Sequence, residues 1–317
     1  MKKLERILHE DIYEVLKISY DGLNDNQQRI FLDIACFLKG KGIDLVKQFL
    51  NACGFFTEVE ISGLVDKSLI AISKYNTINM HDLLQAMGRE IVRQQSIEDL
   101  GQQSRLWHHE DIYHVLTKNL RSKAIQGISF DMSRTEYIDL NPCAFANMRN
   151  VRYLEFYCSN DGENKNKVHI SKGLDSVFNE LRYLHRYGCP LKSLQSNVNP
   201  EHLVKLRMRD SNVEQLWNGV MNLVNLKEID LAGSKHLISC PDLSGACNLE
   251  RLNLLHCSCL SEISSSLQYL SKLDKFLLLH CKSLRGLPDC FAGLKSLKYL
   301  NMFGCSNLKM LPDISCY

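Results

Sequence analysis

The sequence contains no apolar run of 18 or more residues, so it predicts no membrane-spanning helix. Its first residues, MKKLERILHEDIYEV, lack an uninterrupted apolar core, which excludes a signal peptide. The net charge is only +2 over 317 residues, so no overall basic field points to nucleic acid or to an anionic membrane. The 13 cysteines are an odd number without a secretion signal, and they indicate reduced thiols in the cytoplasm or the nucleus rather than a disulfide framework.

One phrase, apolar at its first, fourth and sixth positions, recurs through the second half of the chain. Its copies are LVKLRM, LKEIDL, LERLNL, LDKFLL and LKYLNM, which begin at Leu203, Leu226, Leu249, Leu273 and Leu297. Successive copies start 23, 23, 24 and 24 residues apart, which is typical of leucine-rich repeats. One such unit cannot bury its own apolar edge, so the units are expected to stack into a solenoid, and a solenoid favours recognition over catalysis.

Residues 1–100 do not repeat and predict short helices, a β-hairpin over residues 69–80 and a further helix from about His81. Asn24 is a plausible N-cap for one of these helices. This order of elements is typical of a winged-helix domain. Residues 1–100 hold 12 Lys and Arg against 15 Asp and Glu, and a balance of −3 disfavours binding to DNA phosphates. We therefore interpret the domain as a protein-interaction or regulatory module.

The predicted fold class is α+β, a winged-helix domain over residues 1–100 followed by a leucine-rich-repeat solenoid. Residues 101–122 form a junction with a short helix, and about eight repeats occupy residues 123–317. The repeats are irregular before Leu203, where a polar run over residues 159–167 predicts an exposed loop. The array is expected to be incomplete at its C-terminal end, since the sequence stops midway through a repeat.

Six stretches of the chain resemble plant disease-resistance proteins of the TIR–NB-ARC–leucine-rich-repeat class. They are LKISYDGLNDNQQRIFLDIACFLKG (16–40), INMHDLLQAMGREIV (78–92), SRLW (104–107), IQGISFDMS (125–133), AFANMRNVRYLEFY (144–157) and LRYLHRYGCPLKSL (181–194). The resemblance implies an ADP/ATP switch that ends in the winged helix and a repeat array that recognises a pathogen effector or a guarded host protein. It also implies that the chain's own or a partner's nucleotide-binding domain contacts the winged helix.

The sequence departs from that family plan at both ends. It has no GxxxxGK[ST] phosphate loop and no room for a TIR domain, so it looks like a fragment that begins at or just before the winged helix. We therefore expect no NAD-cleaving activity and no bound ADP or ATP in this chain alone. A Ser/His/Asp constellation, a paired-carboxylate cleft and a complete metal set are also missing, so we expect that the chain is not an enzyme.

The stretch Met80-His81-Asp82 matches the nucleotide-sensing MHD motif of the family. The resemblance implies that the histidine contacts the β-phosphate of ADP and holds the resting state. A helix N-terminus suits that role because its N–H groups favour anions. The alternative interpretation is that His81 is simply a polar residue at the start of a helix.

Cys257, Cys281 and Cys305 lie 24 residues apart at one repeat position, and His256 and His280 precede two of them. Cysteine and histidine are zinc ligands, but stacked repeats make a linear column rather than a closed tetrahedron. We therefore favour a buried thiol column that donates to loop carbonyls, and we assign no metal.

The partner-binding surface is predicted on the concave face, to which alternate strand residues point. Aromatic residues at both ends flank a charged middle, and aromatics and arginine are common interface anchors. The alternative is that Arg207 and Arg209 merely pair with Glu228 and Asp230 across neighbouring strands. The predicted surface comprises Tyr153, Tyr157, Tyr183, Tyr187, Lys205, Arg207, Arg209, Glu228, Asp230, Arg251, Tyr299 and Phe303.

These observations favour a segment of an intracellular plant immune receptor, in which the repeats recognise an effector, hold the winged helix inactive and lead to defence signalling. The alternative is a stand-alone decoy or regulatory module that binds proteins without nucleotide. We expect neither nucleic acid as a partner nor a membrane span, and a location in the cytoplasm or the nucleus.

Overall fold

The computed structural model describes residues 10–97, 99–118, 120, 122–135, 137–140, 142–145, 148–159, 168–170, 178–194 and 199–309. Most of the polar run predicted as a loop and the last residues of the chain lie outside these ranges. Within them, no helix has the length and apolar character needed to cross a membrane. The fold is α+β, as the sequence predicts.

The N-terminal domain has the predicted order of helices, hairpin and closing helix. Its elements are α1 (Glu10–Asp21), α2 (Asp25–Asp33), a π-helical turn (Ile34–Leu38), α3 (Ile43–Ala52), α4 (Thr57–Asp66), β1 (Ala71–Ile72), β2 (Ile78–Asn79) and α5 (Asp82–Gln94). The strands β1 and β2 pair antiparallel and form the wing.

Local signals in the sequence explain where these elements begin and turn. Asn24 caps α2 by accepting from the backbone N–H of Gln27 at 2.8 Å, and the Gln27 side chain accepts from the Asn24 N–H in return. The hairpin turns at Asn76, whose φ of 55° is a left-handed conformation that asparagine tolerates better than most residues. The wing therefore forms where alternation and turn chemistry both place it.

From Arg105 onward, the residues that the structure describes form a sheet of nine parallel strands. In chain order the elements are β3 (Arg105–Leu106), α6 (His109–Thr117), β4 (Gly127–Asp131), β5 (Ile138–Leu140), β6 (Tyr153–Tyr157), β7 (Val168–Ile170), β8 (Tyr183–Arg186), β9 (Lys205–Arg207), β10 (Glu228–Asp230), β11 (Arg251–Asn253), β12 (Lys275–Leu277) and β13 (Tyr299–Asn301). The sheet follows the order β13-β12-β11-β10-β9-β8-β6-β4-β3, while β5 and β7 pair separately. A short 3-10 turn at Leu100–Gln102 precedes β3, and others connect the strands at Met132–Arg134, Pro142–Phe145, Pro200–His202, Ser265–Tyr269 and Asp289–Gly293.

Register between the strands follows the leucine phrase without slippage. The fourth residue of each phrase pairs with the fourth residue of the phrase on the adjacent strand and points into the core. These residues are Leu206, Ile229, Leu252, Phe276 and Leu300. Because side chains alternate along a strand, the residues on either side of each leucine position point to the concave face.

The segment predicted as a junction belongs to the repeat array in this structure. Leu106 lies in the first strand of the sheet, and Ile112, Val115 and Leu116 of α6 are fully buried in the same core as the repeats. The array thus begins with a two-residue strand and a helix that covers the apolar edge of the first repeat, as a terminal cap must.

One residue in each regular repeat has a left-handed backbone just after the strand. These residues are Asp210, Gly233, His256, His280 and Gly304, with φ between 52° and 77°. The rings of His256 and His280 stack at 4.9 Å between centroids, so neighbouring repeats contact each other through this column of residues.

Candidate functional site at the joint of the two domains

The winged-helix domain covers part of the concave face, which is the face of the sheet that points away from the repeat core. Tyr153 of β6 and Tyr183 of β8 point to this face, yet each is only 1% exposed, and both belong to the hydrophobic core of the winged helix. Both residues therefore lie on the predicted face, but the chain's own winged helix covers them in this arrangement. A partner cannot reach either ring unless the two domains separate.

Stacked aromatic rings form the centre of this joint. Phe37 stacks on Tyr153 at 4.9 Å between centroids, Tyr153 stacks on Tyr183 at 4.5 Å, and Phe49 meets Tyr153 edge-on at 5.6 Å. Aromatic pairs contribute about 0.5–1.5 kcal/mol each beyond the area they bury. Gly127 of β4 lies under Phe37, where a Cβ atom would collide with the ring, so the close approach requires glycine.

A buried carboxylate, Glu155, lies beside the rings and is only 3% exposed. Its donors are Lys41 Nζ at 2.8 Å, Ser129 Oγ at 2.9 Å, Tyr153 Oη at 2.9 Å, His185 Nδ1 at 3.2 Å and Tyr183 Oη at 3.5 Å. Burial raises the pKa of Glu155, but the hydrogen bond from His185 and the charge of Lys41 outweigh it and hold the pKa well below its usual range. Because its pKa is low, the Glu155 carboxylate stays charged. Because Lys41 belongs to the winged helix, the ion pair links the two domains.

A second buried ion cluster fixes α2 against the first strands of the sheet. Asp33 is 2% exposed and accepts from Arg105 Nε at 2.7 Å, while Arg152 Nη2 lies 2.9 Å from its other carboxylate oxygen. At the far side of the joint, Arg182 Nε donates to the Ala52 carbonyl at the end of α3, at 2.6 Å. Buried charges persist only when they are paired, so this cluster indicates one fixed docking geometry.

The Met80-His81-Asp82 motif lies at the start of α5. Met80 is buried, and His81 is the N-cap residue, with Nδ1 accepting from the Leu83 N–H at 3.2 Å. This geometry is the one that the alternative interpretation describes, and it leaves the proton of a neutral imidazole on Nε2. Asp82 is exposed, and the hydrogen bond and charge of Lys39, whose Nζ lies 2.5 Å from Oδ1, lower its pKa.

The remaining residues of the predicted surface differ in accessibility. Tyr157 and Tyr187 are half-buried, whereas Arg209 and Arg251 each expose 42% of the side chain, Tyr299 is 49% exposed and Phe303 is 73% exposed. The part of the predicted surface that is open to a partner therefore begins beyond β8 and extends to β13.

The charged middle of the surface is internally paired, but Arg207 and Arg209 both pair with Asp230, whereas Glu228 pairs with Lys205 and Arg251. Asp230 is buried and accepts from Arg207 Nη2 at 3.3 Å and from Arg209 Nε at 2.7 Å. Lys205 is also buried and lies 2.7 Å from Glu228. These contacts align neighbouring strands, and they leave Arg209 exposed enough to meet a partner as well.

The cysteine column donates to backbone carbonyls. Cys257 Sγ lies 3.3 Å from the Leu231 carbonyl, Cys281 Sγ lies 3.0 Å from that of Leu254, and Cys305 Sγ lies 3.0 Å from that of Leu278. Burial raises the pKa of Cys281 to about 12, so this thiol remains protonated and able to donate. No group of three or more metal-ligating side chains occurs among the described residues.

Sequence reasoning assigned no role to Glu155, His185, Asp33, Phe37 or Lys41. The available signal was that two successive repeats carry an outward tyrosine, Tyr153 and Tyr183. Two neighbouring aromatic rings on a sheet face form an apolar patch of the kind that another surface often covers, and here the cover is another domain of the same chain.

The fold and the joint define a class of protein in which a winged helix is docked on a leucine-rich-repeat sheet. Residues 24–96 match the family model described as the winged-helix domain of Roq1-like disease resistance proteins, and residues 202–221 match a leucine-rich-repeat model. Among solved structures, the leucine-rich repeat domain of the type III effector XCV3220 (XopL) aligns over 90% of this chain and 94% of its own, at 16% identity and a TM-score of 0.44.

Three relatives from Arabidopsis thaliana match most of the chain. Disease resistance-like protein DSC1 is 41% identical over 86% of this chain and 24% of its own length; Disease resistance protein RPP2A is 43% identical over 83% and 20%; Disease resistance protein RPS6 is 40% identical over 83% and 23%. The chain belongs to this group of plant disease-resistance proteins, and it spans about a quarter or less of their length.

Proposed function

We propose that this chain is the switch-and-sensor segment of an intracellular plant immune receptor. In this proposal the first repeats hold the winged helix in a resting position. A pathogen effector or a guarded host protein binds the open part of the concave face, and the event reaches the Met80-His81-Asp82 motif through the docked winged helix. The similarity to disease-resistance proteins supports the receptor role at the level of the family.

The observation that carries the proposal is the burial of Tyr153, Tyr183 and Glu155 against the winged helix. These side chains point to the face that a solenoid offers to partners, and here that face is occupied from within the chain. A partner that binds the neighbouring strands of the sheet, or tilts them, would directly change the free energy with which the winged helix docks on the sheet. Such coupling needs two arrangements of one contact, which an aromatic and ionic joint between two domains can provide.

In the resting arrangement, the motif would face the phosphate end of ADP. The Nε2–H of His81 is available to donate to a phosphate oxygen, and the N-terminal turn of α5 favours a negative charge. The pair of Lys39 with Asp82 would hold this turn in place. These residues supply only one side of a nucleotide site, so the phosphate-binding loop must come from another domain.

The proposal is tested by comparing two lysines that match in exposure and in the distance to their glutamate partner. Lys41 and Lys47 each expose 30% of the side chain and each lie 2.8 Å from a glutamate, but Lys41 reaches across the joint to Glu155, whereas Lys47 pairs with Glu58 inside the winged helix. Lys41→Glu places two carboxylates at the joint and should separate the domains, while Lys47→Glu should not.

The readout is cell death after transient expression, in leaves, of a disease-resistance protein that carries this segment, with protein abundance checked by immunoblot. We expect Lys41→Glu and Asp82→Val to signal without an effector, and Lys47→Glu to stay silent. A silent Lys41→Glu at normal abundance would refute the holding role of the joint. A silent Asp82→Val would refute the role of the motif.

A further inference from the structure

The part of the concave face that the winged helix leaves open combines positive charge with apolar side chains. It is formed by the outward residues of β9 to β13 and by the residue that follows each strand by two positions. Its charged members are Lys205, Arg207, Arg209, Glu228, Asp230, Arg251 and Lys275, of which Lys205 and Asp230 are buried within their ion pairs. Its apolar or aromatic members are Leu255, Leu277, Leu279, Tyr299 and Phe303. We call this set of residues the open face.

The open face has five basic residues against two acidic ones. Each acid is shared between two bases, since Glu228 lies 2.7 Å from Lys205 and 3.6 Å from Arg251, and Asp230 binds both Arg207 and Arg209. The adjoining column of Lys227, Glu250, Asp274 and Lys298 is balanced, so it does not cancel the excess. An acid that is shared by two bases neutralises only one of them, so each of these sets keeps a positive charge that can attract a carboxylate of a partner.

The apolar members lie beside this charge. Leu255 and Leu279 are half-buried at one repeat position, and Phe303, 73% exposed, is at the same position of the next repeat. Lys275 lies over the ring of Tyr299, 5.3 Å from its centroid, so it keeps its ammonium at the edge of the apolar strip. A row of half-buried leucines that ends in an exposed phenylalanine, next to arginine, has the composition of an interface centre.

We propose that the open face binds an acidic segment of a partner protein that carries apolar side chains among its carboxylates. Carboxylates would pair with Arg209, Arg251 and Lys275, and apolar side chains would cover Leu279 and Phe303. Single-stranded nucleic acid fits less well, because Glu228 and Asp230 lie among the basic residues and the leucines, unlike Tyr299 and Phe303, offer no stacking surface. This inference rests on the proposed function only in treating the repeats as the recognition surface.

The open face also borders the winged helix. Gln48, in the middle of α3, donates to the Glu250 carboxylate at 3.2 Å, so α3 lies next to the residue that precedes Arg251 of the open face. A partner that fills the open face would therefore touch both domains, which would link recognition to the docking contact.

The test uses fluorescein-labelled 12-residue peptides and measures their anisotropy against the whole chain. In the main probe, Glu or Asp alternates with Leu or Phe; one control replaces the acids by Lys and Arg, and another replaces the apolar residues by Ser. We expect saturable binding of the main probe, weakened by salt, and at least about tenfold weaker binding of both controls. Equal binding of the main probe and the basic control would overturn the proposal, as would tighter binding of oligo(dT).

Variants then locate the site. Arg251→Glu with Lys275→Glu should weaken binding of the main probe by about tenfold, since two exposed attractions become repulsions. Lys272→Glu with Lys295→Glu makes the same change in net charge on exposed loop residues outside the strands and should leave binding unchanged.

For the apolar contact, Phe303→Ser is compared with Tyr269→Ser, a 53% exposed ring on a 3-10 turn. We expect loss of affinity only for Phe303→Ser. Equal effects within either matched set would overturn the assignment of the open face. Because these assays do not involve signalling, their failure would leave the result of the Lys41→Glu comparison standing, and the reverse also holds.

Discussion

Replacement of Asp33 by alanine probes the ion cluster that fixes the joint. Asp33 is the acidic member of a buried set in which Arg105 is 3% exposed and Arg152 is 7% exposed. The substitution removes both of the close oxygen contacts, at 2.7 Å to Arg105 and 2.9 Å to Arg152. Two guanidinium groups then remain at the joint without a carboxylate, and water cannot reach them while the domains stay docked.

The expected cost follows from the surroundings of the two arginines. Removal of one partner of a buried ion pair costs about 3–5 kcal/mol, because the other charge is left uncompensated. Arg105 keeps hydrogen bonds to the Arg29 carbonyl at 3.1 Å and to Ser104 Oγ at 2.9 Å, so part of its demand is still met. We therefore expect Asp33→Ala to lower the free energy of unfolding by about 3 kcal/mol, the lower end of that range.

Urea unfolding followed by tryptophan fluorescence measures this change. The chain has two tryptophans, and the ring of Trp107, which packs against the core of the winged helix, has the guanidinium groups of Arg89 and Arg93 each 5.7 Å from its centroid. Asp21→Ala is the control, because Asp21 is an exposed acid of the same domain paired with Lys17, and it should cost less than about 0.5 kcal/mol. A loss below about 1 kcal/mol for Asp33→Ala would show that the cluster does not hold the domains.

Three further predictions concern the joint and the cysteine column. Burial lowers the pKa of His185 below its ordinary value of 6.5, so at low pH the unfolded chain binds a proton that the folded chain does not. The stability present above about pH 6.5 should therefore be lost as the pH falls towards the pKa of the folded state. Urea unfolding at pH 7.5 and 5.5 should show this drop, and His185→Gln should reduce it. Gly127→Ala should cost about 1–3 kcal/mol by displacing Phe37, whereas Gly293→Ala, with open space at the Cβ position, should leave Tm nearly unchanged. Because the column of Cys257, Cys281 and Cys305 donates to carbonyls, EDTA should not shift Tm, and a fall would indicate a bound metal.

Patterns of short period made most of the fold predictable from the sequence. The leucine phrase fixes both the strand and the side of the sheet that each residue faces, and capping at Asn24 and the turn at Asn76 fix the ends of elements in the winged helix. The strand Arg105–Leu106 escaped prediction because two residues cannot show a period. Its place in the sheet comes from pairing with β4, which is a tertiary contact.

The joint was not predictable in the same way. Periodicity predicts which side chains point away from the repeat core, but it does not predict which other part of the protein, or which partner, contacts them. Tyr153 and Tyr183 satisfy the outward pattern equally well whether a partner or the chain's own domain covers them. Asp33 looks like any polar residue at the end of a helix, and only its two buried arginine partners reveal its role.

The left-handed residues that follow the strands limit how repeats can be exchanged. The Asp210 carboxylate lies where a Cβ on Gly233 would collide with it, and the His280 ring lies in the same way over Gly304. His256 and His280, by contrast, accommodate each other by stacking. A residue with a side chain at Gly233 or Gly304 would therefore displace Asp210 or His280 of the preceding repeat. Exchange of two adjoining repeats together preserves such a matched pair, so we expect new binding surfaces to arise more readily in that way than by exchange of one repeat.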